Sequence, residues 1–205
     1  FKEAIQINQD DISAYINLGN TFSEIKDYFN AEIYYKKSIE LDNKIPEAHN
    51  NLGNLYIDLN KEVEAIKSFK KAIISNPKFY VAYFNLGILY KSAGDFEESK
   101  KNLEEAIKLY PRFYNAHRAL SQLYKYEVED SHIKLMQKLY HSIYDDIQGK
   151  ISLSFSLGKA FDDMKKYKSA IKYYDEGNKL RRSTIKFSIK KENEEFANIK
   201  KVFNK

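Results

Sequence analysis

Residues 46–79 read PEAHNNLGNLYIDLNKEVEAIKSFKKAIISNPKF, and this stretch decides the fold. Leu52-Gly53 stands in its first half, with His49 three residues before the leucine and Tyr56 three after the glycine. That spacing puts His49, Leu52 and Tyr56 on one face of a helix. Ala65 and Phe69 follow at helical spacing, and Pro77 closes the stretch where a helix cannot continue.

The pattern recurs on both sides. Leu18-Gly19, Leu52-Gly53 and Leu86-Gly87 are 34 residues apart, and Leu157-Gly158 repeats the dipeptide later. Tyr15 and Tyr83 stand where His49 does; Phe22, Tyr90 and Phe161 stand where Tyr56 does. Ala31 and Tyr35, Ser99 and Leu103, and Ala170 and Tyr174 match Ala65 and Phe69. A mid-helix glycine costs about 1 kcal/mol of helix propensity. What it gives is room for a second helix to approach, with the large ring filling the space beside it. One such helix pair cannot bury its own apolar face, so the pairs must stack.

This phased pattern resembles the tetratricopeptide repeat. The resemblance implies an all-α fold: a right-handed superhelical α-solenoid of stacked antiparallel helix pairs. Repeats are expected at 12–45, 46–79 and 80–113, a degenerate one at 114–150, and a last one at 151–183. The degenerate repeat has Ser121 in place of glycine, Tyr124 as its helix-A aromatic and a second helix near 130–147. Residues 1–11 read as the remnant second helix of an earlier repeat, so the sequence is expected to be a piece of a longer chain. Phe196, Ile199 and Phe203 form an apolar stripe, so 184–205 read as a capping or linker helix. Gly94 reads as a helix C-cap, Gly177 as a close-packing position, and Gly149 as a helix boundary.

Composition agrees. Seven Gly and three Pro in 205 residues are too few for the turns of an all-β protein. No cysteine excludes a disulfide framework, thiolate zinc sites and thiol catalysis, and fits a reducing compartment such as the cytoplasm. No apolar run is long enough to span a bilayer, so no membrane partner is expected. Residues 1–111 carry a net −3 and residues 112–205 a net +8, with the excess concentrated after Lys165. The basic end reads first as a solvated helix face.

No catalytic constellation emerges. The glycines serve packing, so no phosphate-cradling loop is left. His49 and His117 occupy the aromatic position of their helices, and His132 and His141 lack ligand spacing. Asp145-Asp146 and Asp162-Asp163 read as solvated helix ends. No catalytic residue, metal ligand or cofactor is therefore assigned, and these 205 residues are read as non-catalytic.

In tetratricopeptide arrays the groove is lined by the first helix of each pair, and the resemblance implies that ligand peptides lie there. The face opposite the aromatic stripe carries Asn17, Asn51 and Asn85 in phase, with Asn20 and Asn54 in a second register. A primary amide can bond both groups of a peptide backbone. The same amides could equally bridge neighbouring helices, and both roles could hold together. Arrays that clamp acidic chaperone C-termini surround such asparagines with Lys and Arg. Here Ile16, Val81 and Asn85 stand instead, so only the asparagines match. From the fourth repeat Arg118, Lys125 and Lys159 bring positive charge, and Arg118 and Lys159 are candidates for an acidic peptide end.

Residues 157–164 (LGKAFDDM) and 176–182 (EGNKLRR) resemble the last repeat of bacterial proteins that join a tetratricopeptide array to a C-terminal sulfotransferase. That resemblance implies a transferase domain after Lys205, to which the array would present an acceptor or which it would help to oligomerise. An O-linked N-acetylglucosamine transferase is the weaker form of this alternative. The expected partner is a protein or extended peptide, with such a transferase domain in the same chain as the alternative. Nucleic acid is disfavoured, because the basic residues are not interleaved with a reading motif.

Overall fold

The computed structural model describes residues 8–185 and Lys200. Among these residues the chain forms ten helices and no strand. They are α1 (Ile12–Glu24), α2 (Tyr28–Leu41), α3 (Pro46–Asp58), α4 (Glu62–Ser75), α5 (Tyr80–Ser92), α6 (Phe96–Leu109), α7 (Tyr114–Ser121), α8 (Ser131–Ser142), α9 (Ile147–Asp163) and α10 (Tyr167–Thr184). Helices pair in sequence as α1–α2, α3–α4, α5–α6 and α9–α10, an all-α helical repeat fold. The chain divides into two compact units between Lys125 and Tyr126, with α1–α7 in the first and α8–α10 in the second.

Aspartates start many of the helices. Asp11, Asp27, Asp95, Asp130 and Asp146 each accept a backbone N–H three residues on, which satisfies one of the helix's orphan donors. Asp146 takes the Gly149 amide at 2.7 Å, so Gly149 is the third residue of α9. The first helix of each pair ends alike. Lys26, Asn60, Gly94 and Lys165 all adopt left-handed φ, at 62°, 56°, 81° and 59°. The next amide then reaches back to the carbonyl of Phe22, Tyr56, Tyr90 or Phe161, at 2.7–2.9 Å, the long bond of a Schellman cap. The aromatic position of the pattern is thus also the position that closes its own helix.

The recurrent glycines admit the neighbouring ring. A Cβ on Gly19, Gly53 or Gly158 would stand 2.5–2.6 Å from the nearest atom of Tyr35, Phe69 or Tyr174. At Gly177 the same atom would meet Ser154 Cβ at 3.1 Å. In the first unit one apolar cluster runs through three repeats, from Ala31 and Tyr35 through Leu52, Tyr56 and Phe69 to Leu86 and Leu89. In the second unit Ile133, Met136, Leu153, Leu157 and Ala160 are fully buried. Ser99 takes the small-residue position of the third repeat and donates its hydroxyl to the Gly87 carbonyl at 2.7 Å. His49 and His117 are buried, and their Nε2 atoms meet the Asn43 and Pro111 carbonyls at 3.0 and 2.8 Å. Burial pushes both imidazoles below their usual pKa. They are structural groups, in accord with their place in the pattern.

Several expectations change. Helix α7 ends at Ser121, so Tyr124 lies beyond it and donates its hydroxyl to Glu104. Helix α8 stops at Ser142, short of 147, because α9 begins at Ile147, four residues before Ile151. Asp163 is more than a solvated helix end: it pairs with Lys159 and accepts the Tyr126 amide at 3.0 Å. Residues 1–7 of the expected remnant helix, and the capping helix apart from its first residues and Lys200, lie outside the described residues.

Candidate functional site

The first helices α1, α3 and α5 carry the asparagine face, and their amides bond to one another across repeats. Asn51 Nδ2 donates to Asn20 Oδ1 at 2.9 Å. One repeat further, Asn85 Nδ2 donates to Asn54 Oδ1 at 3.2 Å and to Asn50 Oδ1 at 2.9 Å. The geometry is regular: the asparagine before Leu-Gly reaches the one after Leu-Gly in the preceding repeat. Asn50, which the sequence places on this face but not among the binding candidates, is only 5% exposed and accepts from Asn85. Its signal was its place beside Asn51, hidden because isoleucine and phenylalanine hold that position in the flanking repeats.

These bonds leave hydrogen-bonding capacity. Asn20 Oδ1 accepts from both Asn51 and the Tyr35 hydroxyl, the latter at 2.8 Å, which fills its two lone-pair sites. The two hydrogens on Asn20 Nδ2, and the two on Asn54 Nδ2, have no protein partner among the described residues. Asn17 is half-buried; its side chain makes no hydrogen bond among the described residues, and its carbonyl accepts from Thr21 Oγ1 at 2.8 Å.

Asn20, Asn51 and Asn54 line an open groove of about 410 Å³ with Ser23, Glu24, Tyr35 and Asp58. Burial, with a smaller push from the Glu24 and Asp58 charges, holds the Tyr35 phenol at about 12, against a hydrogen bond from Ser23 that lowers it. Tyr35 is therefore a neutral donor throughout the physiological range.

The two candidate cations fall in different units. Arg118 is exposed on α7 in the first. Lys159, on α9 in the second, is ion-paired with Asp163, and its ammonium lies 5.3 Å from the centre of the Tyr126 ring. No group of three or more potential metal ligands occurs among the described residues, and no helix there is long and apolar enough to cross a membrane.

Hairpins closed by a left-handed residue, opened by a glycine against a ring and repeated in phase define a helical-hairpin repeat protein. Tetratricopeptide repeat family models match residues 46–79 and 80–113, and residues 12–45 and 151–184. The chain belongs to the tetratricopeptide repeat family. No curated protein matches it. Among solved structures it is similar to MamA, with 22% identity over 87% of this chain and 97% of that one, at a TM-score of 0.62. It is similar to YrrB, a tetratricopeptide protein with an unusual peptide-binding site, at 20% identity, 88% and 92% coverage and a TM-score of 0.62. It also resembles the first tetratricopeptide domain of Spaghetti bound to an HSP90 peptide, at 24% identity, 55% and 91% coverage and a TM-score of 0.53. At these identities the likeness is one of fold.

Proposed function

We propose that this region is a non-catalytic scaffold that holds an extended peptide or partner segment against the first helices of repeats one to three. The observation that carries the reading is the open groove lined by Asn20, Asn51, Asn54, Glu24 and Asp58, where amide hydrogens remain after the inter-repeat bonds are made. Peptide binding in YrrB and in the Spaghetti domain supports it by analogy of fold. Asn51 and Asn85 act mainly between helices, Asn20 and Asn54 supply the groove, and Asn17 extends the same helix face beside it. Arg118, in the same unit as these asparagines, serves an acidic end of the ligand; Lys159, in the second unit, is held by Asp163.

The test is a peptide-library screen against the full chain. Selected peptides should bind several-fold more weakly to Asn17→Ala and Asn54→Ala variants whose melting temperatures match the parent, one hydrogen bond being worth about 0.5–1.5 kcal/mol. A library that yields no binder overturns the reading.

The alternative, an accessory region of a sulfotransferase, rests on the strings at 157–164 and 176–182. Gene sequence beyond Lys205 encoding a strand, a glycine-containing phosphate loop and a helix would favour it.

A further inference from the structure

Within the first unit the groove-lining face changes charge from one repeat to the next. At repeats one and two Glu24 and Asp58 occupy equivalent positions at the ends of α1 and α3 and line one groove. Both are exposed, and neither is in an ion pair among the described residues. At repeats three and four the same face carries Lys91, near the end of α5, whose ammonium donates to the neutral amide oxygen of Gln122, next after α7. Burial and, after it, the charge of Arg118 push the Lys91 pKa down, so a second positive charge acts at this end. Between the ends stand the neutral Asn54, Asn85 and Ile88.

We infer that the groove takes a dipolar extended segment of another protein, with a lysine or arginine seated between Glu24 and Asp58 and a carboxylate at Lys91. This rests on the peptide-groove reading above and names its ligand class. The separation follows from the packing. The first helices of successive repeats touch directly, through Asn51–Asn20 and Asn85–Asn54. Packed helix axes lie about 8–10 Å apart, so the one and a half steps from a seat between α1 and α3 to α5 span roughly 12–15 Å. An extended chain covers about 3.3–3.6 Å per residue, which places the two charges about four residues apart. A nucleic acid, an anionic membrane or a uniformly acidic peptide would instead press negative charge onto Glu24 and Asp58, so a mixed-charge protein segment is the complementary occupant.

The probes are four labelled peptides of about ten otherwise polar, uncharged residues: one with Arg and Glu about four residues apart, one with Arg alone, one with Glu alone, and one neutral. Titrated with the full chain at low salt, the dipolar peptide should bind about three- to tenfold more tightly than the neutral one. The gain should shrink at high salt. Glu24→Gln with Asp58→Asn should abolish the gain from Arg and keep that from Glu; Lys91→Gln should do the reverse. Equal binding of all four peptides, or an Arg gain untouched by the Glu24 and Asp58 changes, overturns the charge assignment and leaves the groove standing. Binding of none of them removes the charge assignment and the groove together.

Discussion

The ring of Phe69 occupies the space a side chain at Gly53 would need: a Cβ there would lie 2.6 Å from Cε1 of a fully buried ring. The clash falls on atoms that have nowhere to move, because Ala65 and Leu52 pack around them. Gly53→Ala is therefore expected to destabilise the chain by about 1–2 kcal/mol, overpacking outweighing the helix propensity that alanine restores. Urea denaturation measures it. Adding Phe69→Leu should recover part of the loss, since at the equivalent Gly87 of the third repeat an added Cβ would stand 2.9 Å from Leu103, farther than from the ring at Gly53. A stabilised single variant would refute the close-approach account.

Asn85 and Asn17 hold the same repeat position and should behave differently. Removing Asn85 strips the buried Asn50 oxygen of its 2.9 Å donor, a loss of about 1–3 kcal/mol. Asn17→Ala breaks no side-chain bond among the described residues and should change stability by less than about 0.5 kcal/mol. Parallel thermal melts check the pair.

Stability should fall as the solution is acidified through the histidine range. His49 and His117 have folded pKa values below the ordinary 6.5, so the unfolded chain binds more protons there. Their stabilising contribution is full above the unfolded value and is lost as pH drops below it. Melting temperatures at pH 7.5 and 5.5 should differ, and the combined His49→Gln and His117→Gln variant should show a smaller difference. An unchanged pH slope in that variant would assign the effect to other groups.

Lys26 sits at φ 62° without glycine's freedom. Lys26→Gly should raise stability by about 0.5–1 kcal/mol, because the left-handed region costs a side-chain-bearing residue about 1–2 kcal/mol, partly offset by glycine's greater freedom when unfolded. Gly94→Ala, at φ 81° with open space around it, should lower stability by a similar amount. Calorimetry on both variants tests the sign.

Much of the fold was legible because its signal is periodic. Leu-Gly followed by an aromatic three residues on marks α1, α3, α5 and α9, and the structure shows why: the glycine admits the large side chain of the second helix, and the aromatic's carbonyl closes the cap. Gly94 alone advertised that cap, since Lys26, Asn60 and Lys165 adopt the same conformation without a residue type that announces it. The end of α7 was misread because Tyr124 fits the pattern in sequence while the helix stops at Ser121. At the candidate site the asparagine register was visible, but which amide meets which depends on the step between adjacent helices, a tertiary quantity. Lys159 looked like a groove cation for the same reason: its partner Asp163 was read as a separate surface feature.

The two seams between the first three repeats are tied in different ways. Repeats one and two are joined by Asn51 and Asn20, by the Tyr56 hydroxyl on Glu32, and by the Asn43 carbonyl, which accepts from Ser75 and meets His49; between repeats two and three the side-chain hydrogen bonds among the described residues all come from Asn85, to Asn50 and Asn54. In an array whose stability is a sum of neighbour terms, a seam whose bonds share one donor loses more when that donor is removed. Backbone amides of α3 and α5 should therefore exchange with deuterated solvent faster in an Asn85→Ala variant, by a larger factor than Asn51→Ala brings to α1 and α3.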